Sequence, residues 1–185
     1  SSVRVPTTMT QPSPEQDLRF PIGNFDPAAY TSREVNINTI ANLPANLRTA
    51  VDGLTDQQLD TPYRPEGWTL RQTVHHIADS HINSLCRFKL ALTEDETPTI
   101  RPYMEDRWAE LADSRLPIDV SLAIIDGVHA RWVELLKNMS EADYEREFRH
   151  PETGNWTLEK VLGLYAWHSR HHTAHITNTR ERSGW

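Results

Sequence analysis

The last long apolar-periodic segment, from Leu158 to about Arg180, carries four of the chain's nine histidines within the nine residues Trp167 to His175. No other stretch restricts the fold as much. Its apolar stripe is Leu158, Val161, Leu162, Tyr165 and Ile176, which repeats at helical spacing. Successive helical residues are about 100° apart, so His168 and His172 stand one turn above each other and can grip one ion from the same face. Measured from the stripe, His172 lies roughly 30° away, His168 about 70°, His175 about 90° and His171 about 130°. The inward pair is therefore His168 and His172. His171 is expected to face water, and His175 to point inward as a packed or supporting histidine. A zinc-protease reading fails, because the residue after His168 is Ser169 where that chemistry needs a glutamate base.

Two imidazoles are half of a metal site, and the rest of the chain has to complete it. A first helical segment is expected from about Ser32 to Asp52, with Ile40, Leu43, Leu47 and Val51 on one stripe and a kink or break at Pro44. Thr55 to Gln58 reads as a capping box, and a turn at Pro62 to Gly67 leads to Thr69 as cap of a second long helix reaching about Leu92. From Thr93 to Pro117 the chain is polar and proline-punctuated, a long crossover with a short helical piece near Met104 to Ala112. A third long helix runs from an Asp119 cap to about Asn138, and Ser140 opens a short one. Phe148 to Trp156 has hairpin chemistry. The expected fold is all-α, a four-helix bundle with a long crossover and a small β-hairpin before the last helix. Residues 1–20 read as an extended or disordered arm and 21–185 as a single metal-binding domain. Prolines at 6, 12, 14, 21 and 27 without a charged-then-apolar pattern do not make a secretion signal.

Composition narrows the chemistry. A net charge of −7 and no basic stripe argue against nucleic acid, and no apolar run approaches the roughly 18 residues of a membrane span. The single cysteine, Cys86, rules out an internal disulfide and a Cys-rich zinc framework, so a reducing cytoplasm is expected and any metal must be held by nitrogen and oxygen. For the third ligand, periodicity offers His76, His81 and His129. His81 and His129 fall in apolar stripes. His76 heads a polar column with Ser80, Asn83 and Arg87, so periodicity alone leaves the choice open and leans to His81.

The run from Gly67 to His81, continuing through Arg87 to Leu90, resembles the DinB superfamily, and closely its YfiT-like branch of metal-dependent hydrolases. Residues Gly163 to Ile176, Leu59 to Arg64 and Ile100 to Tyr103 match the same branch. The resemblance implies a four-helix bundle that holds one divalent ion per subunit, zinc or nickel, through His76, His168 and His172, often as a homodimer. It thereby replaces His81 by His76. Three neutral imidazoles leave a position for water, which a metal can activate at neutral pH, so hydrolysis of a small-molecule ester, amide or similar bond is the leading expectation. A second is S-transfer of a low-molecular-weight thiol resembling bacillithiol, and a third is a structural, non-catalytic ion. His175, Asp79 and Arg87 are the candidates for further catalytic roles. Glu159 joins Asp79 as a candidate base, and Asn83 joins Arg87 as a candidate substrate contact.

Overall fold

The computed structural model describes residues 18–185, so most of the arm expected at residues 1–20 lies outside the described residues. Four long helices dominate: α1 (Arg33–Val51), α3 (Leu70–Thr93), α5 (Asp119–Asn138) and α7 (Leu158–Ser183). Short helices α2 (Asp56–Leu59), α4 (Glu105–Ala109) and α6 (Glu141–Glu145) sit in the connections, and a two-stranded antiparallel hairpin, β1 (Glu147–His150) with β2 (Gly154–Thr157), precedes α7. Each long helix packs on two others. α1 touches α5 and α7, and α3 touches the same two, so the helices form a closed square with α1 diagonal to α3.

Local chemistry accounts for most of the helix ends. The Thr69 hydroxyl accepts the Gln72 N–H while the Gln72 side chain accepts the Thr69 N–H, a reciprocal box that starts α3 two turns before its first interior histidines. Thr55 and Ser140 start α2 and α6 in the same way, and Ser32 and Thr157 cap α1 and α7. α5 departs from expectation: its N-cap is Ile118, and Asp119 lies just inside the helix, where a carboxylate still favours the N-terminal dipole. α7 ends at Gly184, whose positive φ of 70° suits a residue without a Cβ. Pro44 does not break the chain into two helices; α1 runs unbroken across it. Ile40, Leu43 and Leu47 are all buried on the side facing the bundle, so packing on both sides of the proline outweighs one missing hydrogen bond.

The interior divides lengthwise. At one end, Trp132, Phe88, Leu136, Leu158 and Leu162 are sealed together; at the other, Leu47, Leu70, Ile77, Ile125 and Ile176 are. Each such fully buried side chain stabilises the fold by about 1.5–3 kcal/mol. Histidines fill the level between these two apolar ends. The segment before α1 also packs on α7: the Trp167 indole donates to the Gly23 carbonyl, Arg170 donates to the Tyr30 hydroxyl, and a Cβ on Gly163 would come within 3.0 Å of the Tyr30 carbonyl oxygen. Further back, the Arg19 carbonyl also meets α7, accepting from His175.

Candidate metal centre

Three imidazoles converge between α3 and α7. His76 comes from α3, His168 and His172 from successive turns of α7, and their Nε2 atoms face one another, 3.3 Å for His76 to His168 and 3.1 Å for His172 to His168. A tetrahedral ion with nitrogens at about 2.0–2.1 Å holds them about 3.3–3.4 Å apart, and right-angle geometry at that bond length about 2.9 Å apart. The observed spacings fall in that interval. The donor set thus fits one divalent ion, and three facing lone pairs are a costly arrangement without a cation between them. Among the described residues this group consists of those three side chains.

The turn before α3 walls the centre. Trp68 lies with its ring 4.5 Å from that of His76 and 6.3 Å from that of His172, and Tyr63 stacks on His175 at 4.1 Å. This turn is held by the Tyr63 N–H donating to the Trp68 carbonyl, and Gly67 has no room for a Cβ, which would meet the Arg64 side chain at 2.6 Å. Beyond the wall is an open cleft of about 570 Å³ whose lining includes Arg19, Trp68, Glu105, Glu110 and His172. A larger cleft of about 800 Å³, around Arg71, contains none of the histidines; Arg71 there is tied to Asp56 and Asp60 and ties α3 to α2.

Burial sets the protonation of the centre. It pushes His76 down to about 4, with the charge of His175 adding to the effect. His168 and His172 are held well below the ordinary histidine range by burial first and then by neighbouring histidines, His76 foremost for His168 and His168 foremost for His172. Neutral imidazoles are the form that binds a cation. His81 and His129 are also lowered by burial, His129 to about 4.

The structure sorts the remaining candidates. His81, favoured by periodicity, is fully buried but stands behind His168, with its Nε2 3.1 Å from His168 Nδ1. His171 does not face water: it is 7 % exposed, stacked on Trp167 and on Phe20, because the segment before α1 covers that face of α7. His175 points inward, with Nδ1 3.2 Å from His172 Nδ1 and its Nε2–H donating to the Arg19 carbonyl. His75 braces the crossover, its Nε2–H donating to the Leu116 carbonyl. Of the polar column on α3, only His76 reaches the centre. Ser80 pairs with the Tyr165 hydroxyl, Asn83 donates to the Asp79 carbonyl of its own helix, and Arg87 donates to the Arg101 carbonyl. Asp79 is half-buried and outside the histidine group; burial and Asp113 raise its carboxyl to about 6. Glu159 is bound to Arg33 at the start of α7, so it is no base for this site. Sequence reasoning missed Tyr63 as a wall residue and Glu105 as a cleft carboxylate. The aromatic before the Thr69 cap was the available signal for Trp68; Glu105 had none, since the crossover places it.

A family model described as the DinB superfamily matches residues 39–176. The chain belongs to the DinB superfamily. Within it, a Bacillus mycoides protein named "putative metal-dependent hydrolase" is 54% identical over 92% of this chain and 99% of its own length. A Bacillus cereus protein of the same name is 55% identical over 91% of this chain and 99% of its own. Among solved structures, YfiT from Bacillus subtilis, described as a probable metal-dependent hydrolase with an unusual four-helix bundle topology, superposes with a TM-score of 0.87 at 50% identity, covering 91% of this chain and 99% of that one. A mycothiol-dependent maleylpyruvate isomerase shares the fold, with a TM-score of 0.63 at 18% identity over 78% of this chain and 60% of its own. This DinB-superfamily chain thus has the bundle topology of its YfiT relative.

Proposed function

We propose that this protein is a metal-dependent hydrolase whose His76, His168 and His172 hold one divalent ion at the edge of the cleft. The observation that carries the reading is the convergence of three Nε2 atoms at ion-binding spacing beside a cavity large enough for a small molecule. The names of the relatives at 54–55% identity support it. When bound, such an ion lowers the pKa of a coordinated water towards 7 and polarises a carbonyl. The chain's own residues then divide the remaining work. Trp68 and Tyr63 exclude bulk water from the histidines, Arg19 presents a cation to an anionic part of the substrate, and Glu105, its carboxyl raised by burial and by Asp106, handles protons on the cleft wall. Zinc and nickel both suit three imidazoles.

A second reading is transfer of a low-molecular-weight thiol to an electrophile. It draws on the arginines of the same cleft, Arg19 and Arg64, which match the carboxylates such thiols carry, and on the affinity of zinc for thiolate. One experiment separates the two. The purified protein is analysed for metal, then offered a panel of esters and amides beside low-molecular-weight thiols with a model electrophile. Hydrolysis that depends on the ion and is lost in His76→Ala is the expected result; conjugation without hydrolysis would overturn the hydrolase reading.

A further inference from the structure

Behind His168 and His172 run two chains of hydrogen-bonded histidines, each ending on a backbone carbonyl. The longer one passes through all four long helices. His168 Nδ1 on α7 is 3.1 Å from His81 Nε2 on α3, His81 Nδ1 is 2.6 Å from His129 Nε2 on α5, and His129 Nδ1 is 2.6 Å from the Ile40 carbonyl oxygen on α1. The shorter one links His172 Nδ1 to His175 Nδ1 at 3.2 Å and His175 Nε2 to the Arg19 carbonyl oxygen at 2.9 Å.

A carbonyl oxygen can only accept, and that settles the direction of every link. His129 must donate through Nδ1–H, so its Nε2 offers a lone pair. His81 then donates through Nδ1–H and accepts at Nε2, and His168 donates to it through Nδ1–H. Two N–H groups facing each other at these distances would repel, so each gap holds one proton and each ring in the chain is neutral. The same logic from Arg19 makes His175 an Nε2–H tautomer, His175 Nδ1 an acceptor and His172 an Nδ1–H donor. In both chains the last ring is left with a bare Nε2 aimed at the other two nitrogens of the centre.

We propose that these two carbonyl-anchored chains make His81, His129 and His175 positioning residues that lock His168 and His172 as Nδ1–H tautomers, so that both present Nε2 to a single ion. The inference rests on the metal-site reading above and deepens it. Groups that hold a ligand histidine from behind usually bond it directly to a carbonyl or carboxylate; here one intervening ring serves His172 and two serve His168. The orientation of the centre thereby depends on the backbone of α1 and on the segment that carries Arg19, both distant in sequence from the ligands.

The test is read first on the wild-type protein without metal. Long-range proton–nitrogen spectra of ¹⁵N-histidine-labelled protein distinguish the two neutral tautomers. His81, His129, His168 and His172 are expected as Nδ1–H forms and His175 as Nε2–H, the form commoner for histidine in water. An Nε2–H signal for His168 or His172 would overturn the proposal, whether or not the protein binds metal. Ion titration into the same sample tests the metal reading separately, since correct tautomers without ion binding would sink that reading alone. Variants then give a second readout. His129→Phe removes the acceptor for His81 and is expected to weaken zinc binding by about 10- to 100-fold. His129→Gln, whose amide can accept from His81 and donate to the Ile40 carbonyl, is expected to restore affinity to within about threefold of wild type. The pair His175→Phe and His175→Gln should behave alike. Unchanged affinity in a folded His129→Phe would overturn the proposal; if that variant fails to fold, the wild-type spectra decide. Two ions per chain, the second lost in His171→Ala, would also overturn it, because an ion on His171, His172 and His175 needs the His172 Nδ1 lone pair.

Discussion

His76 and His81 lie on the same helix, both shielded from water, yet removing them should have different consequences. His76→Ala deletes one of three converging nitrogens, and loss of stoichiometric ion binding is expected by metal analysis after gel filtration. His81→Ala leaves the three nitrogens in place but takes the acceptor from His168, so binding should persist at one ion per chain with lower affinity, alongside a lower Tm from the cavity in the core. The reverse pattern would show that His81 is the ligand. Protonation gives a second expectation. The folded-state pKa values of His76 and His129 lie near 4, below the value of about 6.5 for an unfolded chain. The unfolded protein therefore binds more protons between pH 6.5 and 4, and the stability these groups contribute is fully present above pH 6.5 and is lost as pH falls towards 4. Each contributes a slope of up to about 1.4 kcal/mol per pH unit in that window. Asp79, raised to about 6, and Glu105, also raised, act in the opposite sense and regain stability on acidification, but they are two groups against several. The metal-free protein should thus show a Tm that falls steeply below pH 6.5. A flat profile from pH 7 to 5 would contradict the buried neutral histidines.

At the scale of elements, the centre is assembled from two helices and the turn that feeds one of them. The Thr69–Gln72 box fixes where α3 begins, and through it the relation of Trp68, the residue before the cap, to His76, two turns into the helix. Thr69→Ala should lower stability by about 1 kcal/mol in denaturant unfolding, with one ion per chain still bound, because the rest of α3 remains packed on α5 and α7. Loss of ion binding at unchanged stability would mean that the cap acts on the centre directly. α7 is the counterpart. Its 26 residues carry His168, His172 and His175 on one inward face, and its outward face is covered by Phe20, Phe25 and Tyr30. Arg33, bonded to Glu141 and Glu159 and lying over the Tyr144 ring, ties α1 to α6 and α7 at the far end from the centre.

For the molecule as a whole, an ion in the proposed centre would join α3 to α7 at the level between the two apolar clusters. An ion that binds only the folded protein stabilises it by about 2.7 kcal/mol when its free concentration is a hundred times Kd. For a domain of this size each kcal/mol raises Tm by about 2–4 °C, so saturating zinc should raise it by roughly 5–11 °C. Differential scanning calorimetry with and without zinc would read the shift, and His168→Ala should abolish it. A zinc-induced rise that survives in His168→Ala would point to binding elsewhere.

Local pattern determined a great deal of this protein. Stripes at spacings of three and four, with Ser, Thr and Gly at the ends, marked the four long helices and their limits to within a few residues, and the turn chemistry of residues 148–156 marked the hairpin. The i, i+4 spacing also singled out His168 and His172, since both lie on one helix and their relation is a property of that helix alone. Periodicity left the third position open, because that position depends on another element. A polar column on α3 reads as a wet face until α7 is set against it, which is why His76 came from resemblance and not from spacing. His171 reads as exposed until Phe20 and Trp167 cover it. The direction of the histidine chains depends on two carbonyls, Ile40 and Arg19, that are 128 and 156 residues from the rings they serve at the centre or behind it, His168 and His175. A backbone oxygen has no letter in the sequence, so only the packing of α1, and of the segment before it, against the other helices decided which nitrogens face the candidate centre.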